Sequence, residues 1–195
     1  MASAKADTIG PTGCGSCLGS SYTLTYTATA NPNIFDIFLT VNTSATTLPG
    51  DFLNAVAPKV SSSFTSVAFI SGPATFTNVV TGGLSAAGCD GSGSGFFCSG
   101  SSSLTGVPLG SGDIYNFEWA VTLASPGALL TGSNQASIKA LFVDSTGKQA
   151  GITSEDITLQ PGGPPPSVPE PSTLTLLGTG ALGIAGALKR ARHLA

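Results

Sequence analysis

Two stretches of this chain alternate so strictly that only an extended backbone can use them. Residues 21–29 set Tyr22, Leu24, Tyr26 and Ala28 on one face and Thr23, Thr25, Thr27 and Thr29 on the other. Residues 114–123 set Tyr115, Phe117, Trp119, Val121 and Leu123 on one face. Successive side chains leave a strand on opposite faces, so a repeat of two marks a half-buried strand. The stiff, β-branched Thr side chains add strand preference. The same reading predicts strands over 34–41, an apolar run broken by Asp36, and over 64–70 and 75–80, separated by the turn Ser71-Gly72-Pro73. It predicts a strand over 137–143 that enters a hairpin turn at Asp144-Ser-Thr-Gly147, a last strand over 157–160, and a short helix over 51–56. No long helix and no internal repeat is visible in this body. Six to eight short strands joined by turns predict an all-β fold, an antiparallel β-sandwich over residues 7–160.

Composition decides between a folded body and a disordered one. The chain holds 26 Gly, and only 9% of it is charged, against roughly 25% in an ordinary soluble domain. Disorder needs few aromatics and high net charge. Here ten Phe, three Tyr and one Trp accompany a net charge of −3, which favours a packed core. Between Asp7 and Pro169 nine acids face three bases, Lys59, Lys139 and Lys148. An acidic body without a basic patch cannot neutralise phosphates, so nucleic acid is excluded as a partner.

The end of the chain has a different character. Residues 161–167 form a Pro/Gly linker that includes three consecutive prolines, a stiff, solvated spacer. No residue from Pro171 to Leu188 is charged. A helix over 172–188 is about 25 Å long, close to a hydrocarbon core of about 30 Å, and predicts one transmembrane span. Lys189, Arg190 and Arg192 follow as a stop-transfer cluster in the basic tail 189–195. The positive-inside rule places that tail in the cytoplasm and everything before Ser172 outside it.

These residues carry a resemblance. Val168-Pro169-Glu170-Pro171-Ser172, then a Leu/Gly/Ala-rich helix, then Lys-Arg-x-Arg, resembles the PEP-CTERM sorting signal of Gram-negative bacteria. The resemblance implies that Pro169-Glu170-Pro171 is read by the membrane protease-transpeptidase exosortase. It also implies transit across the inner membrane, processing near the motif, and delivery to the cell surface or extracellular matrix. Residues 138–155 are also similar to a stretch common just before this signal. Residues 1–6 read as the residual end of a secretory signal peptide, because Ala4-Lys5-Ala6 has the small-x-small pattern of a cleavage site. This reading expects a hydrophobic segment encoded upstream of Met1, with the start misassigned. Without one, a tail-anchored protein is the rival.

Four cysteines form two local pairs, Cys14 with Cys17 and Cys89 with Cys98. In an oxidising compartment they read as disulfides, with three connectivities open and the local one favoured, because it would staple the Gly-rich loop 90–97. A four-Cys zinc site is the rival, but the second pair lacks the spacing of a zinc ribbon or knuckle. Asp90 opens a loop with one carboxylate, too few for calcium. The single histidine is His193, so the body has no imidazole, and histidine-dependent hydrolysis and histidine metal sites are excluded there. Glu118, in an apolar strand on the face opposite Trp119, reads as solvated. Tyr22, Tyr26, Tyr115 and Trp119 read as sandwich core, with a sugar-stacking platform as the alternative. Asn42-Thr-Ser44 is a formal glycosylation sequon.

The expectation is an exported, exosortase-sorted protein of the cell surface or exopolysaccharide matrix, structural or adhesive, with no catalysis, cofactor or metal. Its partners are exosortase, inner-membrane lipid and exopolysaccharide. Its alternatives are an extracellular carbohydrate-binding module and a permanently tail-anchored membrane protein. An enzyme would need two carboxylates about 5–9.5 Å apart in one cleft.

Overall fold

The structure, a computed structural model, describes residues 7–159 apart from Ser92, Ser111 and Ser133. The expectations for residues 1–6 and for the linker, helix and basic tail lie outside the described residues. Among these residues thirteen strands follow in order: β1 (Asp7–Ile9), β2 (Ser21–Ala28), β3 (Ile34–Asn42), β4 (Phe52–Lys59), β5 (Phe64–Ser71), β6 (Val80–Thr81), β7 (Gly83–Ser85), β8 (Gly88–Gly91), β9 (Phe97–Gly100), β10 (Val107–Pro108), β11 (Ile114–Leu123), β12 (Ala136–Val143) and β13 (Gln149–Ile157). One 3-10 turn, Pro126–Ala128, precedes β12. The fold is all-β, and its ladders are antiparallel.

One sheet runs β1-β2-β3-β11-β5 and the other β13-β12-β4-β9-β6, with β10 beside β4 and β7-β8 as a separate pair. The strands outnumber the six to eight expected because six of them are two to four residues long. A period cannot be read in so few residues.

The two sheets share one core. In β2 and β11 the faces assigned from alternation turn inward: Tyr22, Leu24, Phe117, Trp119, Val121 and Leu123 are buried. In β3 the phase is Phe35, Ile37, Leu39 and Val41 inward, and Ile34, Asp36, Phe38 and Thr40 outward. From the opposite sheet Leu53, Val56, Phe97, Ile138 and Phe142 meet them. Trp119 is at the centre with 0% of its surface exposed. Its ring lies parallel to Phe117 at 5.7 Å and edge-on to Phe97 of the other sheet at 5.3 Å. A ring of this size buries roughly 150–250 Å², an upper estimate of about 4–6 kcal/mol at ~25 cal/mol per Å². Two hydrogen bonds cross the core. Trp119 Nε1–H donates to Ser99 Oγ at 2.8 Å, and the Tyr22 and Thr153 hydroxyls are 2.9 Å apart. Thr153 Oγ1 donates to the Ser16 carbonyl at 3.0 Å, so its proton is committed there and Tyr22 is the donor to it. Each such bond is worth about 1 kcal/mol net, so area holds the sheets together while the bonds orient them.

Three expectations are corrected. Residues 51–56 form no helix, because they begin β4, which is buried on both faces between β12 on one side and β9 and β10 on the other. A strand buried on both faces loses its alternation and cannot be told from a short helix by period. Residues 75–80 are not a continuous strand: Phe76 bridges Ser101 and Val80 pairs with Cys98, but the ladder does not hold over the residues between them. Phe76 is buried and edge-on to Phe117 at 5.0 Å, and the Thr75 carbonyl accepts from the Ser102 amide at 2.7 Å. The last strand covers Gln149–Ile157 and ends where 157–160 was expected to begin.

The turn between β12 and β13 forms where Asp144-Ser-Thr-Gly147 indicated. Asp144 Oδ1 accepts from the Thr146 hydroxyl at 2.6 Å and from the Thr146 and Lys148 amides at 2.8 and 3.0 Å. These bonds hold its carboxyl below the ordinary carboxylate range, the Thr146 hydroxyl most of all. Gly147 supplies the positive φ, 80°, that closes the turn.

Both disulfides pair locally, Cys14–Cys17 and Cys89–Cys98, with Cα separations of 5.5 and 5.4 Å. The second does more than close a loop. Cys89 is on β8 and Cys98 on β9, so the bond ties the β7–β8 hairpin over the outer face of the second sheet. There Leu84 covers Ala55, Ala57, Leu141 and Val143.

Three measurements follow from this packing. Trp119→Ala is expected to cost about 3–5 kcal/mol in chemical denaturation, whereas Thr25→Ala on the outer face costs under about 0.5 kcal/mol. Burial, reinforced by the Glu155 charge, raises the Tyr22 hydroxyl above its ordinary value near 10, against the opposing bond to Thr153. Its contribution is complete below pH about 10, and above that the unfolded chain loses its proton first, so stability falls as pH rises. Tyr22→Phe should therefore flatten the alkaline limb of the stability curve, and an unchanged limb refutes the assignment. Replacing Cys89 and Cys98 together by Ala should remove about 2–3 kcal/mol and speed amide exchange over 83–91 before it does so in β3 and β11.

Candidate functional site

Several acids of the body hold local structure. Glu155 Oε1 accepts from Ser16, from the amide and the hydroxyl alike, at 2.6 Å. Ser16 Oγ in turn accepts from the Ser154 amide at 3.0 Å, so the loop closed by Cys14–Cys17 covers the free edge of β13. Asp156 accepts from Ser137 at 2.8 Å, and Asp90 accepts from Ser85 within the β7–β8 hairpin. Glu118 is half-buried on the outer face of β11, where its Oε2 accepts from the Ser71 hydroxyl at 3.1 Å. Both disulfides are closed, so Cys14, Cys17, Cys89 and Cys98 offer no thiolate to a zinc ion. No group of three His, Cys, Asp or Glu among the described residues is placed to hold a metal.

The sugar-stacking platform is overturned. Trp119 and Tyr22 are fully buried, and Tyr26 and Tyr115 pack against the same core. The inward phase of their strands dictates this. The aromatic ring presented outward is Phe38, 36% exposed, opposite Thr25 of β2 and Glu118 of β11. The outward phase of residues 34–41, marked by Asp36, was the signal that could have found it. Asn42 ends β3 with its Oδ1 accepting from the Ser44 amide at 2.9 Å, so the sequon is engaged in an Asx turn.

A cleft of about 430 Å³ opens beside the start of β5, lined by Ser62, Ser63, Phe64, Thr81, Gly82, Gly93, Ser94, Gly95 and Phe96. Hydroxyls, backbone and two rings line it, and no ionisable side chain is among them. Gly95 is required there: its φ is 80°, and a Cβ would meet the Ser61 carbonyl oxygen. Lys59 and Lys139 extend over the Phe96 ring, with Nζ 5.8 and 4.8 Å from its centre. These residues are distant in sequence, and only the pairing of β4 with β12 brings the two lysines together.

Val168, Pro169, Glu170, Pro171, Ser172, Lys189, Arg190 and Arg192 lie outside the described residues. Among the described residues no helix is long and apolar enough to cross a membrane. No match was found among curated proteins, and none among solved structures. Residues 167–190 match the family of the PEP-CTERM protein-sorting motif. That motif is the recognition signal of exosortase and implies export with membrane-associated processing. C-terminal to its β-domain in sequence, the chain carries a PEP-CTERM protein-sorting motif over residues 167–190.

Proposed function

We propose that this protein is a structural or adhesive component of the cell surface or exopolysaccharide matrix, delivered there by exosortase, and that it performs no catalysis. The observation that carries the reading is the sorting motif at 167–190. The body is of a kind suited to such a destination. It is all-β, and its two closed disulfides fit an oxidising compartment outside the cytoplasm. The absence of histidine from residues 7–159 and the non-ionisable lining of the cleft favour a passive role. In this reading residues 172–188 cross the inner membrane, and Lys189, Arg190 and Arg192 hold the tail on the cytoplasmic side until exosortase acts near Pro169-Glu170-Pro171. Inner-membrane lipid is then a transient partner and exopolysaccharide a lasting one.

Mass spectrometry of the chain recovered from surface fractions tests this. The native protein should lack residues 173–195, whereas a Glu170→Ala variant should remain full-length and sediment with the inner membrane. An intact Ala195 on surface-exposed native protein sinks the processing step and leaves a permanent tail anchor. Recovery of the native chain solely from the inner membrane sinks the surface destination.

A further inference from the structure

The two sheets end in four edge strands, β1, β5, β13 and β6. The unpaired N–H and C=O groups of an edge are a template for another strand, and folded proteins blunt such edges with brevity, charge, proline or a cover. Three of the four are blunted. β1 has three residues, one of them Asp7, and β6 has two. β13 carries Glu155 and Asp156 and is covered by Ser16, which takes up the Ser154 amide.

Among the described residues β5 lacks these devices. It has eight residues, Phe-Thr-Ser-Val-Ala-Phe-Ile-Ser, without a charge or a proline and rich in strand formers. Among the described residues its one ladder partner is β11. The ladder shifts register at its two ends, but Ser66, Val67, Ala68 and Phe69 run evenly against Thr122, Val121, Ala120 and Trp119. Thr65, Ser66 and Ala68 are exposed, and Ile70 is 53% exposed.

Charge indicates what meets this edge. Nine acids against three bases make two copies of the body repel over most of their surfaces. From Val60 to Cys89 no residue is charged, and β5 is within that run; the carboxylate that reaches it, Glu118 of β11, is bound to Ser71 at the far end of the strand, so two copies can approach about Ala68 without opposing carboxylates. An antiparallel edge is also its own complement, because a two-fold axis sets its donors against its acceptors and closes the contact at two copies.

We propose that β5 pairs antiparallel with β5 of a second copy of this chain, about a two-fold axis near Ala68, joining the two five-stranded sheets into one. In that register Val67 of each copy faces Phe69 of the other on the core side, a β-branched–aromatic pair. Ala68 faces Ala68 on the outer side, where small side chains let the strands close.

The test uses the full chain in a mild detergent, with mass measured by light scattering across a dilution series. The native chain should be a dimer that dissociates on dilution. The variant carrying Ser66→Lys and Ala68→Lys should shift that midpoint by about tenfold or more, with an unchanged circular-dichroism spectrum. Since no cysteine among the described residues is free, Ala68→Cys adds a thiol that should give a disulfide-linked dimer on oxidation, while Thr25→Cys on β2 should not. The cysteine pair decides the matter if the lysine variant fails to fold. A native chain that stays monomeric to its solubility limit overturns the proposal. So does a dimer that the lysines leave untouched, cross-linking at Ala68 no better than at Thr25, or pairing that appears only when a different protein is added.

Discussion

The structure depends on burying two amphipathic sheets against each other, with Trp119 at the point where they meet. Each sheet alone would expose a face of Leu, Ile, Val and aromatic side chains to water. Together they remove Trp119, Phe117, Phe97 and Tyr22 from solvent completely or nearly so. The apolar area supplies the free energy, because a large buried ring outweighs any single hydrogen bond by severalfold. The cross-sheet bonds, Trp119 to Ser99 and Tyr22 to Thr153, select one relative placement of the sheets. Without them the two indole and phenol donors would be buried unpaired, which costs about 1–3 kcal/mol each.

Around this core the chain treats its surfaces unequally. The outer face of the second sheet is roofed by the β7–β8 hairpin, which the Cys89–Cys98 bond holds in place. The outer face of the first is left to Thr, Ser, Asn and single exposed apolar residues such as Phe38 and Ile114. The β13 edge is occupied by the Ser16 loop, while among the described residues nothing pairs with the outer edge of β5. Several carboxylates hold local structure: Asp144 closes the β12–β13 turn, Glu155 binds the Ser16 loop and Asp156 meets Ser137.

Much of the fold could be read from residues. β2 and β11 were legible to the residue, because one face of each is buried and the other solvated, so the period of two survives. The β12–β13 turn was legible from Asp144 and Gly147, whose chemistry is local. β4 was not, because the hairpin roof and the core bury it on both sides, and its neighbours rather than its own pattern make it a strand. The strand expected over 75–80 failed for a different reason: β9 and Ser101 lie alongside and meet it at Phe76 and Val80, but the ladder breaks between these two points. Tyr22 and Trp119 were legible as core, because the polar residues alternating with them in β2 and β11 mark the solvated face.

The amino-acid sequence by itself determined the all-β class and the sorting motif at 167–190, since each is written in contiguous residues with a short physical range; it favoured the local disulfide pairs, which the structure shows. The meeting of Lys59 and Lys139 over Phe96, the Ser16 cover on β13 and the roof over β4 arise between residues far apart in the chain. So does the outer edge of β5, unpaired among the described residues. Only the tertiary structure decided these, because a strand's partners, and whether it has one on each side, are set by how the whole sheet is threaded.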